Sequence, residues 1–464
     1  ALKTSNYDGN AYNVALGYQA GVGVTTGQGN TLLGSLAGYN LQGGHNNVAI
    51  GMQALEVEDG HGYNVAIGNE ALQTLNAGAN AYNVAVGFQS GHLMTTGVQN
   101  TIMGGLAAAA LTTGGGNVAI GYDALNDETT GSNNIALGSS ALGSSQLSQH
   151  NVGIGQGSLE NVTNSSLSNT YNIGIGYNAG NAITTGTKNI LIGAISGDAI
   201  ETAGDNIGIG YASLGANTVN GAVAIGTNAM LNATSATGAT VIGNYAVSAG
   251  VMTGNNNTVI GQSAGQDLTS GNRDTLVGYR AGYEMTSGAS NTALGYLTLT
   301  NATNSHGNTA IGDSALATNI DGDNNTAVGT SALFTLEPAD GNSYNTAVGK
   351  DAGKLMTTGT NNTLVGGLAG DSITTGAANT VIGVGAGNVL TTGGTNTFIG
   401  EDAGDTIVGG GDNVFIGHDC TGAQSGSNQI GIGANLNSNL GSNSTEIGTA
   451  TTTNAIVHGL RKTV

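Results

Sequence analysis

Asn308-Thr309-Ala310-Ile311-Gly312 is one of twenty-six variants of a single phrase, which first occurs as Asn13-Val14-Ala15-Leu16-Gly17. The closing glycine stands at 17, 34, 51 and onward to 448, and 18 of the 25 intervals equal 17 residues. A period held over the whole length is the signature of a repeat array in which each unit packs on its neighbours. The 464 residues are therefore read as one solenoid, with repeats over 1–448 and an end segment over 449–464.

Composition agrees with a thin, backbone-dominated structure. Glycine numbers 83, proline 1 and tryptophan 0, so collagen is excluded, and no Gly-X-Y triplet is present. Disorder is excluded as well, because 39% of residues are hydrophobic, only 8% are charged and the aliphatic ones are periodic. The net charge of −20 and the scattering of the 8 Lys and Arg residues argue against a nucleic-acid partner. A single cysteine cannot form an intrachain disulfide, and no apolar run long enough to span a membrane is visible.

With the glycine as position zero, minus one is Leu, Ile, Val or Met in all 26 repeats. Minus three is Val, Ile or Thr, which favours an extended strand and shares a face with minus one. That face is expected to look into the core. Minus two is usually Ala, Gly or a larger aliphatic, so the strand is apolar on both faces and its second face needs another surface. Plus three is small in 25 of 26 repeats, which reads as packing. Minus four is Asn in 21 of 26, an expected coil-to-coil hydrogen-bond ladder that turns the corner. Each repeat is expected to form two short strands and two turns, one coil of a parallel β-roll. Stacked at about 4.8 Å per coil, 25 steps would extend about 120 Å.

The four longest intervals precede the fifth, tenth, fifteenth and twentieth repeats, so five-coil super-repeats begin near 13, 83, 172, 257 and 345. The coil after each restart carries a bulky residue at minus two: Leu32, Ile102, Leu191, Leu276 and Leu364. Duplication of a block and a structural pseudo-period both explain this. The extra residues at Asn76 to Ala81, Glu160 to Thr170 and Glu337 to Tyr344 are expected to be surface loops.

No motif points to catalysis, a cofactor or a metal. Cys420, in His418-Asp419-Cys420, falls in the small-residue slot and reads as packing. His45 and His61 lie on neighbouring coils without a carboxylate or thiolate set for zinc. The acidic segments Glu56 to Asp59 and Asp321 to Asp323 lack the nonapeptide of calcium-binding rolls. Asp402 and Asp419 occupy plus two of successive coils and are expected to be solvated neighbours, not an acid and base across a glycosidic bond. An ice-binding surface is disfavoured because Thr-Thr-Gly recurs too irregularly.

Asn-(Val/Thr)-Ala-(Ile/Val)-Gly with Ala at plus three and Thr-Thr-Gly between resembles the repeats of phage tail fibres and of bacterial trimeric autotransporter adhesin heads. The resemblance covers essentially the whole chain. It implies a left-handed parallel β-roll, a homotrimer, and a non-enzymatic shaft of a virion tail fibre, placed outside the cell. Other virion tail proteins and a host surface glycan or protein receptor are the implied partners. The adhesin alternative is weaker, since the coil is longer than in adhesin heads. The segment from Ser444 to Gly459 is similar to the stretch that precedes the self-cleaving chaperone of many phage fibres, and such a domain is expected to be encoded beyond Val464.

Overall fold

The computed structural model describes residues 11–216, 220–338, 341–436 and 441–448. The chain divides into two compact units, Ala1–Thr237 and Gly238–Val464. Each is a parallel β-solenoid with one three-residue repeat strand per coil. The first runs from Val14–Leu16 to Val223–Ile225 and the second from Thr240–Ile242 to Thr445–Ile447. The described residues contain no helix. Pairing is in register, phrase on phrase: Ala49 faces Ala66 in the first unit, and Ala310 faces Ala327 in the second. The seventeen-residue period is one turn of the solenoid. The end segment 449–464, with the stretch from Thr449 to Gly459, lies outside the described residues.

The expected second strand is absent from the typical coil. Its place is taken by a run of turns that still hydrogen-bonds coil to coil, as where the Gly38 amide donates to the Ala54 carbonyl at 2.9 Å and the Asn40 amide to Glu56 at 3.0 Å. Left-handed residues at plus two and plus four, such as Gln53 (φ 57°) and Leu55 (φ 52°), prevent an extended segment there. The corner before the strand uses minus five, for example Tyr63 (φ 66°), and not the asparagine at minus four.

The strand's two faces are the reverse of the sequence expectation. Minus two points inward: Ala49, Ala66, Ala310 and Phe398 are all fully buried. Minus one points outward, and Met103, Ile120, Leu294 and Ile382 remain exposed. The reason is volume. Where a leucine at plus four fills the narrow coil from the far side, minus two has room for little more than a methyl group, so the larger aliphatic side chain goes outside. In the coil of Asn64 the filling is Ala66, Ala71, Leu72 and Leu75, all fully buried.

The same interior explains the super-repeat. Plus four is Leu in many coils where minus two is small, as Leu55 above Ala49 and Leu316 above Ala310. At the bulky minus-two residues Leu32, Ile102, Leu191, Leu276 and Leu364, plus four of the same coil and of the preceding one is Gly or Ala. A Cβ on Gly370 would stand 3.1 Å from Leu364 Cδ2, and one on Gly353 would stand 2.7 Å from Leu364 Cδ1. One large side chain thus fills the space given up by two leucines, and the pseudo-period has a packing basis.

The expected asparagine ladder is present. Asn30 Oδ1 accepts the Asn47 amide at 2.8 Å, and Asn47 Oδ1 accepts the Asn64 amide at 2.9 Å. The side-chain amide then donates across the coil to a carbonyl fourteen residues on, as Asn30 Nδ2 to Gly44 at 2.8 Å. Two of the insertions are more than loops: Thr163–Asn169 pairs parallel with Gln146–Gln149, and Gly341–Asn342 pairs with Gly322–Asp323. The first insertion is exposed over 78–80 and returns to the interior at Ala81.

Candidate functional site

Repetition makes the outward strand face the largest distinctive surface of each unit. Strands stacked in register place minus one residues in a column, and minus three residues in a second column beside it. Leu294 is 46% exposed and Ile382 37%, although both belong to the most uniformly aliphatic position of the chain. The minus-three column differs between units: it is mostly Val and Ile in the first and mostly Thr in the second. Exposed aromatic rings border it at plus one, including Tyr122, Tyr177 and Tyr211, and Tyr279 stacks on Tyr296 at 5.3 Å. Apolar side chains here form continuous columns rather than scattering singly over the surface.

Of the aspartates singled out in the sequence, Asp419 lines an acidic cleft near the end of the second unit, and Asp402 acts on that cleft through its charge. A cavity of about 260 Å³ is lined by Asp405, Thr406, Asp419, Thr421 and Asn435. Burial, and then the charges of Asp402 and Asp419, hold the Asp405 carboxyl above its usual range. Asp405 stands at plus five, so the shared plus-two spacing of Asp402 and Asp419 does not reveal it. The His418 ring lies 3.3 Å from Asp419 and 3.9 Å from Glu401. Cys420 beside them is fully buried in the slot of the small residues, and burial raises its thiol.

Among the described residues, one trio places carboxylate and imidazole atoms within 4.8 Å of one another: Glu58, Asp59 and His61. Glu58 is fully buried, its carboxyl raised by desolvation, and its Oε1 lies 3.5 Å from His61 Nδ1. His45 is engaged elsewhere, with its Nδ1 accepting the Gln28 amide at 3.1 Å. The remaining acidic residues brace neighbouring coils: Glu56 accepts from Gln73 at 2.8 Å, Asp321 from Thr303 at 3.0 Å, and Asp323 from the His306 amide at 2.7 Å.

Glu128 occupies the same coil position as Glu58 and is also fully buried. Its Oε1 accepts the amides of Thr129, Thr130, Gly131 and Leu147, and its Oε2 accepts the amide and hydroxyl of Ser148. This is an internal brace, saturated by its own backbone.

The class defined by these features is a parallel β-solenoid of seventeen-residue coils with an apolar outer strand face. No protein-family model matches the chain, and no curated protein matches it.

Proposed function

We propose that this protein is a structural, self-associating solenoid that works as the shaft of a phage tail fibre, with two further copies of the chain covering its outward strand face. The observation that carries this reading is the column of exposed aliphatics at minus one. Covering a half-exposed Ile or Leu gains on the order of 1 kcal/mol per residue, and the gain repeats at every coil. A copy of the same chain has the same rise per coil, so its columns match coil for coil, which a partner of another period cannot do. Three copies around one axis satisfy every column with one kind of interface. The threefold choice, the tail-fibre role and attachment to a host surface rest on the resemblance of the repeats.

Light scattering on the purified full chain tests this. A homotrimer of 45.3 kDa chains gives about 136 kDa. A folded monomer overturns the self-association reading, and a dimer overturns the threefold part alone.

A further inference from the structure

The asparagine column has one titratable member. Minus four is Asn in 21 of 26 repeats, and the others are Ala222, Ala239, Gln429, Ser444 and Asp274. Asp274 is 1% exposed and continues the ladder on one side. Its amide donates to Asn257 Oδ1 at 2.8 Å, and its own Oδ1 accepts the Asn291 amide at 2.8 Å and Asn291 Nδ2 at 3.1 Å. Its Oδ2 is buried and has no hydrogen-bond partner.

Position shows what that oxygen replaces. In the coils below and above, Asn257 Nδ2 donates to the Gly271 carbonyl and Asn291 Nδ2 to the Ser305 carbonyl, both at 2.8 Å and both fourteen residues on. The corresponding acceptor for residue 274 is the Gly288 carbonyl. A Cβ on Gly271 would crowd that carbonyl oxygen and stand 3.0 Å from Asp274 Oδ2, just as one on Gly27 would crowd the Gly44 carbonyl and stand 3.2 Å from Asn30 Nδ2. Oδ2 therefore occupies the amide nitrogen's place and faces an acceptor. An ionised carboxylate there sets two acceptors against each other in a buried site, whereas a protonated one restores the missing donor.

We infer that Asp274 is held as a neutral carboxylic acid whose Oδ2–H donates to the Gly288 carbonyl, making this coil a proton-dependent link in the asparagine column. The surroundings favour the neutral form. The coil below contributes the Asn257 amide group, the coil above Asn291, and the coil itself Gly271, none of which titrates. The one charged group acting on the site is the Arg273 guanidinium, which is directed outward onto Asn272 Oδ1 at 3.1 Å. Burial pushes the Asp274 carboxyl up to about 7, against a smaller lowering by Asn291 and Arg273. The folded state thus binds this proton more tightly than the unfolded chain. The stabilisation is complete below about 3.8 and is lost as pH rises through about 7.

The test compares the full chain with Asp274→Asn, which installs the column's own residue and preserves the fold. Infrared difference spectra, wild type minus variant, should show a protonated carboxyl C=O band at pH 6 that disappears by pH 9. Hydrogen exchange over 275–291, corrected for intrinsic rates, should show protection in the wild type falling about tenfold between pH 6 and pH 9, with a flat response in the variant. A missing band at pH 6, or equal pH dependence in the two proteins, overturns the inference.

Discussion

Ala310 and Ile311 are consecutive residues of one strand that serve opposite sides of the wall: Ala310 is fully buried inside the coil, and Ile311 faces outward. Folding and association can therefore be separated by neighbouring substitutions. Ala310→Asp places an unpaired carboxylate and extra volume in the interior and should unfold the surrounding coils, at several kcal/mol. Ile311→Asp leaves the interior intact and should reduce the molecular mass seen by light scattering while circular dichroism keeps its β signature. If both variants lose secondary structure alike, the outward face is part of the fold and not a contact surface.

Gly312 has φ 131°, and a Cβ there would stand 2.6 Å from the carbonyl oxygen of Gly329 in the next coil. Both the backbone angle and the stacking thus require glycine. Gly312→Ala should cost about 2 kcal/mol or more. Gly60→Ala is the control, because nothing lies within 4 Å of a Cβ at that turn. Melting temperatures should fall clearly for the first and barely move for the second.

The period, the strand in each phrase, the small slot at plus three and the asparagine ladder are all legible in the sequence, because each repeats a side-chain requirement at every coil. Inside and outside are not. Invariant aliphatics at minus one mimic a core position, since a run of identical apolar residues reads the same whether its column faces inward or outward. Only the space left at minus two, next to Leu72 or Leu316, reveals which face is interior. The left-handed residues are hidden too, because Leu55 and Leu72 adopt φ near 50° where Gly or Asn would be expected. Asp274 and Glu128 carry a sequence signal of another kind: Asp274 is the one titratable residue of the minus-four column, and Glu128 shares its otherwise uncharged column with Glu58 alone.

Asn308 links three coils, with its own amide donating to Asn291 Oδ1 of the preceding coil at 3.0 Å. Its Oδ1 accepts the Asn325 amide at 2.8 Å, and its Nδ2 donates to the Gly322 carbonyl at 2.8 Å. Asn308→Ala leaves the buried Asn325 amide without its acceptor and the Gly322 carbonyl with the Asn319 side-chain amide as its remaining donor, an expected loss of about 1–3 kcal/mol. Asn308→Asp should recover part of this at pH 5 and little at pH 9, since only the protonated acid donates. Thermal melting of the two variants at both pH values checks the ordering.

Glu128 gathers five backbone amides and one hydroxyl on a single buried carboxylate, and two of those amides, from Leu147 and Ser148, belong to the strand Gln146–Gln149. That strand pairs with Thr163–Asn169, so the brace supports the second insertion through one intermediate coil. Glu128→Gln can keep its oxygen under the four amides now shared by Oε1, but its nitrogen then faces the Ser148 amide, which loses its acceptor at about 1–3 kcal/mol. Glu128→Ala removes both oxygens and opens a cavity, so its cost should exceed that of the glutamine variant. Hydrogen exchange should report the difference locally, with protection over 146–169 falling modestly for Glu128→Gln and heavily for Glu128→Ala, while the coils around Asn30 stay unchanged. Equal protection in wild type and Glu128→Ala would mean that the amides find other acceptors and that the carboxylate is not what holds the insertion in place.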